Sequence, residues 1–360
     1  QQVLLQEASN GLSRIIDHSS NTPMMICVGL PLTHNNQLYN CAVVIQQGKI
    51  LGVIPKTHIP NYGQFYEQRW FSSPSNAVDT ITIENQEAPF SSNILLKAKN
   101  NSNIAIGVEI CEDAFSTIPP SSYHGLAGAT LIFNLAAHSD AAGTQSKRKA
   151  LLSSLSARTM TGYIFASAGM YESTTDLVYS GHKLIYENGI LLGESERFEK
   201  DNGLLYSLID VELLSLERKK KRISSLSNLE QLKDYTTVYF DHTPREYPFD
   251  RVVSPYPFVP PKGPQRDVHC EEIFKLQTIA LSKRLLHTGS KTAVIGISGG
   301  LDSTLALLVC MKAFEYLELD PSGIIGVTMP GFGTTDRTYQ NAINLMKHLG
   351  ITRREISIVP

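Results

Sequence analysis

Cysteine is scarce in this 360-residue chain, which contains five. They are odd in number and widely spaced, so they form neither a disulfide framework nor a Cys-x-x-Cys metal pattern. Such usage is typical of a reducing compartment, and we expect a cytoplasmic protein. The five are Cys27, Cys41, Cys111, Cys270 and Cys310.

Long apolar runs and an excess of charge are also absent. No stretch approaches the ~18 uninterrupted apolar residues of a membrane-spanning helix. The formal net charge is −2, so overall charge does not draw the chain to nucleic acid or to an anionic membrane. Intrinsic disorder is excluded, because 42% of the residues are hydrophobic and only 18% are charged. We therefore expect small-molecule substrates, without nucleic-acid or membrane partners.

Prolines divide the chain. Its length suggests roughly two domains, and residues 244–264 contain seven of the eighteen prolines. Such a density disfavours helix and central strand and favours an extended connector. We predict a first domain over residues 1–240, a linker over 241–266 and a second domain over 267–360.

Apolar periodicity predicts the elements. In the first domain, Asn188-Gly189 predicts a hairpin over 182–195, and 204–211 reads as a strand. In the second domain strands alternate with helices, which predicts a parallel α/β sheet. The pattern there predicts helix 267–287, strand 293–297, helix 303–318, strand 324–329, helix 336–348 and strand 355–358.

A glycine-rich loop joins a predicted strand to a predicted helix in the second domain. It reads Ser-Gly-Gly-Leu-Asp-Ser, and its glycines and the free amides of the helix start suit a phosphate. It lacks the Walker A and GxGxxG spacings. It resembles the SGGxDS loop of the PP-loop ATP pyrophosphatases, which adenylate a substrate; a glycine turn with a helix cap is the alternative. The candidate nucleotide-binding residues are Gly296, Ile297, Ser298, Gly299, Gly300, Leu301, Asp302 and Ser303.

Cys111 ends an apolar strand beside two acids, Glu112 and Asp113. Free cysteine is usually buried, but flanking carboxylates argue against deep burial. Nearby acids also raise the pKa of a thiol, so a nucleophile here needs a base and a cation from elsewhere. Upstream, Lys56 follows Ile54-Pro55 and precedes the segment 59–67.

Lysine followed by cysteine in these segments resembles the nitrilase superfamily, whose Glu-Lys-Cys triad hydrolyses amides. The resemblance implies that Cys111 is the nucleophile, that Lys56 stabilises the oxyanion and that the Glu112 N–H completes the oxyanion hole. The general-base glutamate of the family lies well before the lysine. Only 55 residues precede Lys56, and Glu7 lacks the family motif, so no base is assigned.

A nitrilase-like part joined to a PP-loop part resembles the glutamine-dependent NAD⁺ synthetase family. The strings at 173–177, 185–189, 194–198 and 327–333 are also similar to that family. The resemblance implies an α/β architecture: a nitrilase-type αββα sandwich, then a parallel-sheet PP-loop domain of the adenine nucleotide α-hydrolase-like type. We also expect a homo-oligomer. The chain starts without methionine and stops at Pro360, at the end of a predicted strand, so we expect a segment truncated at both ends and inactive alone.

The implied activity is that of an ATP-dependent carbon–nitrogen ligase with glutamine as amido donor. Glutamine hydrolysis supplies ammonia, and ATP with Mg²⁺ adenylates deamido-NAD⁺ for amidation to NAD⁺. The resemblance places Tyr62, Glu112 and His138 at the glutamine site. His138 stands where the family commonly has serine, and Thr144 where it has a basic residue. The alternatives are a nitrilase-type amidase fused to another adenylating PP-loop enzyme, such as one modifying tRNA, and a catalytically inactive protein.

Overall fold

The structure is a computed structural model. It describes residues 2–75, 78–172, 177–200, 203–221, 232–245, 247, 251, 253, 255–260, 262–331 and 335–358. The chain divides into two compact units, Gln1–Asp250 and Arg251–Pro360. Within the described ranges, no helix combines the length and apolar character needed to cross a membrane.

The first unit contains two sheets and four helices among its described residues. The helices are α1 (Gln2–Ser19), α2 (Pro120–Ala127), α3 (Thr144–Thr159) and α4 (Val211–Lys220). The five-stranded sheet has the order β1-β2-β3-β5-β4 and the seven-stranded sheet the order β11-β10-β9-β8-β7-β6-β12. Their strands are β1 (Ile26–His34), β2 (Gln37–Gln46), β3 (Lys49–Pro55), β4 (Asp79–Ile83), β5 (Gln86–Phe90), β6 (Ile94–Ala98), β7 (Ala105–Ile110), β8 (Leu131–Ala136), β9 (Gly162–Ser167), β10 (Lys183–Glu187), β11 (Ile190–Glu194) and β12 (Thr236–Phe240).

These elements form the four layers of an αββα sandwich. Side chains alternate along β2, so Val43 packs with Leu12 of α1, while Val44 packs with Val108 of the second sheet. On the far face of the second sheet, Leu152 of α3 packs against Phe165. The implied nitrilase-type fold is confirmed, and the core lies in three apolar layers between the four structural ones.

Local sequence accounts for the turns but not for every element. The predicted hairpin is present as β10 and β11, with Asn188 and Gly189 both at positive φ. The strand predicted at 204–211 is wrong: residues 203–210 form no strand, and α4 starts at Val211. Leu204 is 86% exposed, so its apolar character does not reflect a buried sheet position.

The second unit has a parallel three-stranded sheet with helices between its strands, as the alternation predicts. The strands β13 (Ala293–Gly296), β14 (Ile324–Thr328) and β15 (Thr352–Glu355) pair in that order. The helices are α5 (Pro264–Thr288), α6 (Leu301–Tyr316) and α7 (Asp336–His348). Helix α5 starts at Pro264 rather than at 267, because proline fits the first turn of a helix, where its missing N–H is not needed.

Some segments behind the sequence predictions lie outside the described residues. Residues 173–176 and 332–333 belong to two of the strings that carry the family resemblance. Part of the predicted linker, including residues 248–250, is likewise outside.

Candidate functional site

The predicted nucleophile lies at one end of the sandwich. Cys111 follows β7 and opens a short 3-10 turn, Cys111–Phe115, with φ at +47°. A non-glycine residue in the left-handed region is uncommon and strained, and such residues cluster at functional sites. The Cys111 N–H donates to Asn134 Oδ1 at 3.1 Å, and the Ala137 N–H, just beyond β8, bonds the thiol sulfur.

Lys56 follows β3 and is buried to 1% exposure. Its Nζ lies 2.7 Å from Glu67 Oε2 and 2.9 Å from Glu67 Oε1. This ion pair offsets part of the cost of burying the ammonium. Sequence reasoning did not single out Glu67, although it ends the 59–67 segment that follows the lysine.

Burial dominates the chemistry of the thiol. It raises the pKa of Cys111 to about 11, while the charge of Lys56 and the Ala137 N–H act to lower it. The carboxylates of Glu67 and Glu112 raise it further. The resting group is therefore a protonated thiol at neutral pH, as expected for a nucleophile beside acids, and it needs a base to react.

Asp113 joins the loop after β7 to the loop after β3. Its Oδ1 accepts the N–H groups of Thr57 (3.1 Å) and His58 (2.7 Å), and its Oδ2 accepts that of Ile110 (2.9 Å). The expectation that the flanking acids stay out of the interior is wrong for Asp113, which is 1% exposed. Backbone amides replace water around its carboxylate, although burial raises its pKa to about 6.

Tyr62 and Glu112 meet at the mouth of the site. The Tyr62 hydroxyl donates to Glu112 Oε1 at 2.5 Å, and both line an open cleft with residues 57–61 and 116–118. Burial, then the bond to Glu112, raises the pKa of Tyr62 to about 12. Two of the three predicted glutamine-site residues therefore contact each other beside the nucleophile.

His138, the third, follows the Ala137 amide that bonds the thiol. Its ring packs on Phe115 with centroids 4.6 Å apart, and its Nδ1 lies 3.0 Å from Arg148 Nη2. Burial and the nearby Arg148 charge lower the pKa of His138. Thr144 begins α3, and its hydroxyl accepts the N–H of Ala141 at 3.1 Å.

Arg148 is a fully buried cation that sequence reasoning missed. It lies one turn after Thr144 on α3 and bonds Asp140 Oδ1 at 2.8 Å and His182 Nδ1 at 2.9 Å. It thereby holds the loop after β8, which carries His138, against the sandwich. The sequence alone does not mark Arg148 as buried, because a basic residue in a helix is usually exposed.

The glycine loop of the second unit has the geometry of an anion cradle. Gly299 has φ at +84°, and α6 begins at Leu301 with no side-chain cap. The hydroxyls of Ser298 and Ser303 lie 3.2 Å apart at this helix start. Uncapped N–H groups, two hydroxyls and the helix dipole all favour a phosphate.

Two family models match this chain, one in each of its two units. The carbon–nitrogen hydrolase family model matches residues 4–219, and the NAD synthase family model matches residues 273–360. The chain is 36% identical over 365 residues to a glutamine-dependent NAD(+) synthetase of Mycobacterium bovis, covering 99% of this chain and 54% of the relative. It is 27% identical over 373 residues to that of Thermotoga maritima, covering 99% and 55%.

Among solved structures, the chain is similar to a glutamine-dependent NAD(+) synthetase from Cytophaga hutchinsonii. The TM-score is 0.49 at 20% identity, covering 98% of this chain and 55% of the other. The chain thus spans about half the length of the relatives that it matches.

Proposed function

The chain belongs to the carbon–nitrogen hydrolase family, and on that premise we propose that it releases ammonia from glutamine for the ATP-dependent amidation of deamido-NAD⁺ to NAD⁺. The observation that carries the proposal is the pairing of two parts in one chain. A strained cysteine beside a buried lysine precedes a phosphate-type loop within an NAD synthase segment. Similarity to glutamine-dependent NAD(+) synthetases over 99% of the chain supports it.

Glutamine hydrolysis begins with loss of the Cys111 proton to a carboxylate. The nitrilase resemblance places that base before Lys56, and no residue is assigned to it. Among the described residues, Glu67 is the carboxylate bonded to Lys56. The sulfur then attacks the side-chain amide carbon, a C–S bond forms, and the carbonyl oxygen becomes an oxyanion. Lys56 and the Glu112 N–H stabilise that charge.

Ammonia leaves when the C–N bond breaks and the nitrogen takes up the proton removed from the thiol. Water then attacks the glutamyl thioester, which releases glutamate and restores the Cys111 thiol. Tyr62, Glu112 and His138 bind the substrate in this scheme. The contact between Tyr62 and Glu112, next to the nucleophile, supports this role, as does the position of His138 after the Ala137 amide. The pocket differs from the family pattern at His138 and Thr144, so we expect glutamine affinity to depend on the loop that Arg148 holds.

The loop at 298–303 suits the phosphates of ATP. Its φ-positive glycine, free helix amides and two hydroxyls are donors, and no carboxylate lies among its hydrogen-bond partners in the described residues. ATP bound there would supply the adenylyl group that activates a carboxylate, and Mg²⁺ would neutralise charge on its phosphates. Residues 296–303 bind and orient the nucleotide.

The test separates the two nitrogen donors. In the natural full-length protein, Cys111→Ala should abolish glutamine-dependent NAD⁺ synthesis and leave ammonia-dependent synthesis within about twofold, because free ammonia bypasses the thiol step. Cys270→Ala, at an exposed cysteine of α5, is the matched control and should change neither rate. Equal loss of both activities in Cys111→Ala would refute the two-site scheme.

Two alternatives are testable in the same assay. A fused adenylating enzyme of another kind, such as one modifying tRNA, would hydrolyse glutamine without forming NAD⁺. A catalytically inactive protein would do neither. We favour small-molecule substrates, a cytoplasmic location and a homo-oligomer, and sedimentation of the full-length protein measures the last.

A further inference from the structure

Glu109 is a buried carboxylate, two residues before Cys111, that the proposed reaction does not use. It is 1% exposed. The Tyr163 hydroxyl donates to Oε1, and the Ser121 N–H donates to Oε2 at 2.7 Å. An apolar side chain of similar size would fill this space without the cost of burying a charge, so packing alone does not account for the carboxylate.

Asn134 connects this carboxylate to the nucleophile. Its Nδ2 donates to the Tyr163 oxygen at 3.1 Å and lies 3.5 Å from Glu109 Oε1. Its Oδ1 accepts the Cys111 N–H at 3.1 Å. The Asn134 NH₂ group faces the oxygens of Tyr163 and Glu109, so the amide oxygen must face the Cys111 N–H. A flipped amide would put an NH₂ group against the Cys111 N–H and an oxygen against a carboxylate.

The main chain that Asn134 holds is strained. Cys111 has φ at +47°, a conformation that costs of order 1–3 kcal/mol and persists only where its surroundings enforce it. Without an acceptor for its N–H, the turn can relax toward negative φ. The sulfur would then move relative to the Ala137 N–H and Lys56, the two groups that favour the thiolate.

We propose that Glu109, Tyr163 and Asn134 are positioning residues that orient one amide oxygen and thereby hold the main chain of Cys111 in its reactive conformation. The proposal rests on the proposed function only in taking Cys111 as the nucleophile. Glu109 also accepts an N–H in the first turn of α2, so the test must separate positioning from helix stability.

Reversing the polarity of the network provides that test. Glu109→Gln sets two NH₂ groups against each other, and Asn134→Asp sets two carboxylates against each other. The double variant restores a consistent network, because the new amide at position 109 donates to the new carboxylate at position 134. The other oxygen of that carboxylate still accepts the Cys111 N–H. We expect each single variant to lower kcat for glutamine hydrolysis by 10- to 100-fold, and the double variant to recover to within about fivefold of wild type.

A pair of tyrosines gives the matched control. Tyr163→Phe removes the hydroxyl between Glu109 and Asn134. Tyr235→Phe removes a hydroxyl in the same apolar layer, one that bonds His124 Nδ1 at 2.8 Å. Tyr163→Phe removes two hydrogen bonds of buried groups, one to Glu109 and one from Asn134, whereas Tyr235→Phe removes one. Only Tyr163→Phe should lower kcat, by about tenfold, whereas the thermal midpoint should fall in both variants.

The measurements are kcat and KM for glutamine hydrolysis in the natural full-length protein, with the thermal midpoint of each variant. A fall in kcat with KM within about twofold supports positioning. Unchanged kcat in the single variants, equal loss in Tyr235→Phe, or no recovery in the double variant would overturn it. If Cys111→Ala itself retained glutamine hydrolysis, the proposed function would fail instead, so the two failures are distinguishable.

Discussion

Burial and the charge of Lys56 act in opposite directions on the pKa of the Cys111 thiol, which predicts its pH response. Because its pKa is raised to about 11, the thiolate fraction is small at neutral pH. Alkylation by iodoacetamide should therefore speed up about tenfold per pH unit between pH 7 and 10. Lys56→Met removes the charge that lowers this pKa, so the rate at pH 8 should fall.

Peptide mass spectrometry measures that rate for each cysteine separately. Cys270 is exposed on α5 and serves as an internal reference, since its alkylation should be the same with and without Lys56. A rate at Cys111 that is flat above pH 7 would show that burial does not raise the pKa of the thiol. A rate that increases in Lys56→Met would show that the lysine charge does not lower it.

The partner of Lys56 can be tested through stability. Glu67→Gln leaves a buried ammonium without its carboxylate, and we expect the free energy of unfolding of the first unit to fall by about 2 kcal/mol, less than for a fully enclosed pair because Glu67 is 26% exposed. Asp241→Asn breaks the exposed pair with Lys99 and should change the free energy of unfolding by less than about 0.5 kcal/mol. Urea unfolding distinguishes the two; equal effects would contradict the role of burial.

At the residue scale, sequence motifs predicted the cysteine at the end of β7 and the lysine after β3. They did not predict the Asp113 carboxylate that bonds the two loops together. Cys111 and Lys56 stand beside recognisable strings. Asp113 was expected to be exposed, since its three amide partners become neighbours only in the fold. Glu67 and Arg148 were missed for the same reason: their partners lie 11 residues or more away or on other elements, where local pattern carries no signal.

At the element scale, the two glycines of the phosphate loop should behave differently. A Cβ at Gly299 would lie 2.0 Å from the Thr338 carbonyl oxygen, and its φ is +84°. At Gly300 the nearest atom, Ser298 Oγ, is 3.5 Å away. Gly299→Ala should therefore destabilise the second unit by about 2 kcal/mol and Gly300→Ala by much less.

Nucleotide binding gives the second measurement on this loop. Gly300→Val should keep the unfolding midpoint near that of wild type yet lose ATP binding in calorimetry, because its branched side chain covers the amides at the helix start. Undiminished ATP affinity in this variant would exclude the loop as the phosphate site.

Elements with strong periodicity were predicted best. The bounds of α7, 336–348, agree with the structure, and β13 differs by one residue. The last strand was predicted too late, at 355–358, because β15 (Thr352–Glu355) is polar and its pairing to β14 comes from neighbours in space. Helix α2 starts at Pro120, immediately after Pro119, because proline fits the first turn of a helix.

At the scale of the whole molecule, Glu109 should make stability depend on pH. Its folded pKa is raised to about 7 by burial, against 4.5 for a free glutamate. Between these values the unfolded chain loses the proton while the folded chain keeps it, so stability falls as pH rises. Wild type should thus lose about 3 kcal/mol relative to Glu109→Gln between pH 4.5 and 7.

Glu87→Gln, at an exposed carboxylate of β5, is the control. Thermal or urea unfolding at several pH values measures both differences. A wild-type advantage that grows with pH would mean that Glu109 is stabilised as the anion.

The pairing of β6 with β12 has a consequence for synthesis on the ribosome. Strand β6 ends at Ala98, whereas its parallel partner β12 starts at Thr236. At 5–20 residues per second, translation leaves this side of β6 without its partner for roughly 7 to 28 s. During that interval the backbone edge of an apolar strand, Ile94–Ala98, is open to pairing with other nascent chains. Speed of elongation through residues 99–240 thus bears on the yield of folded protein, independently of its final stability.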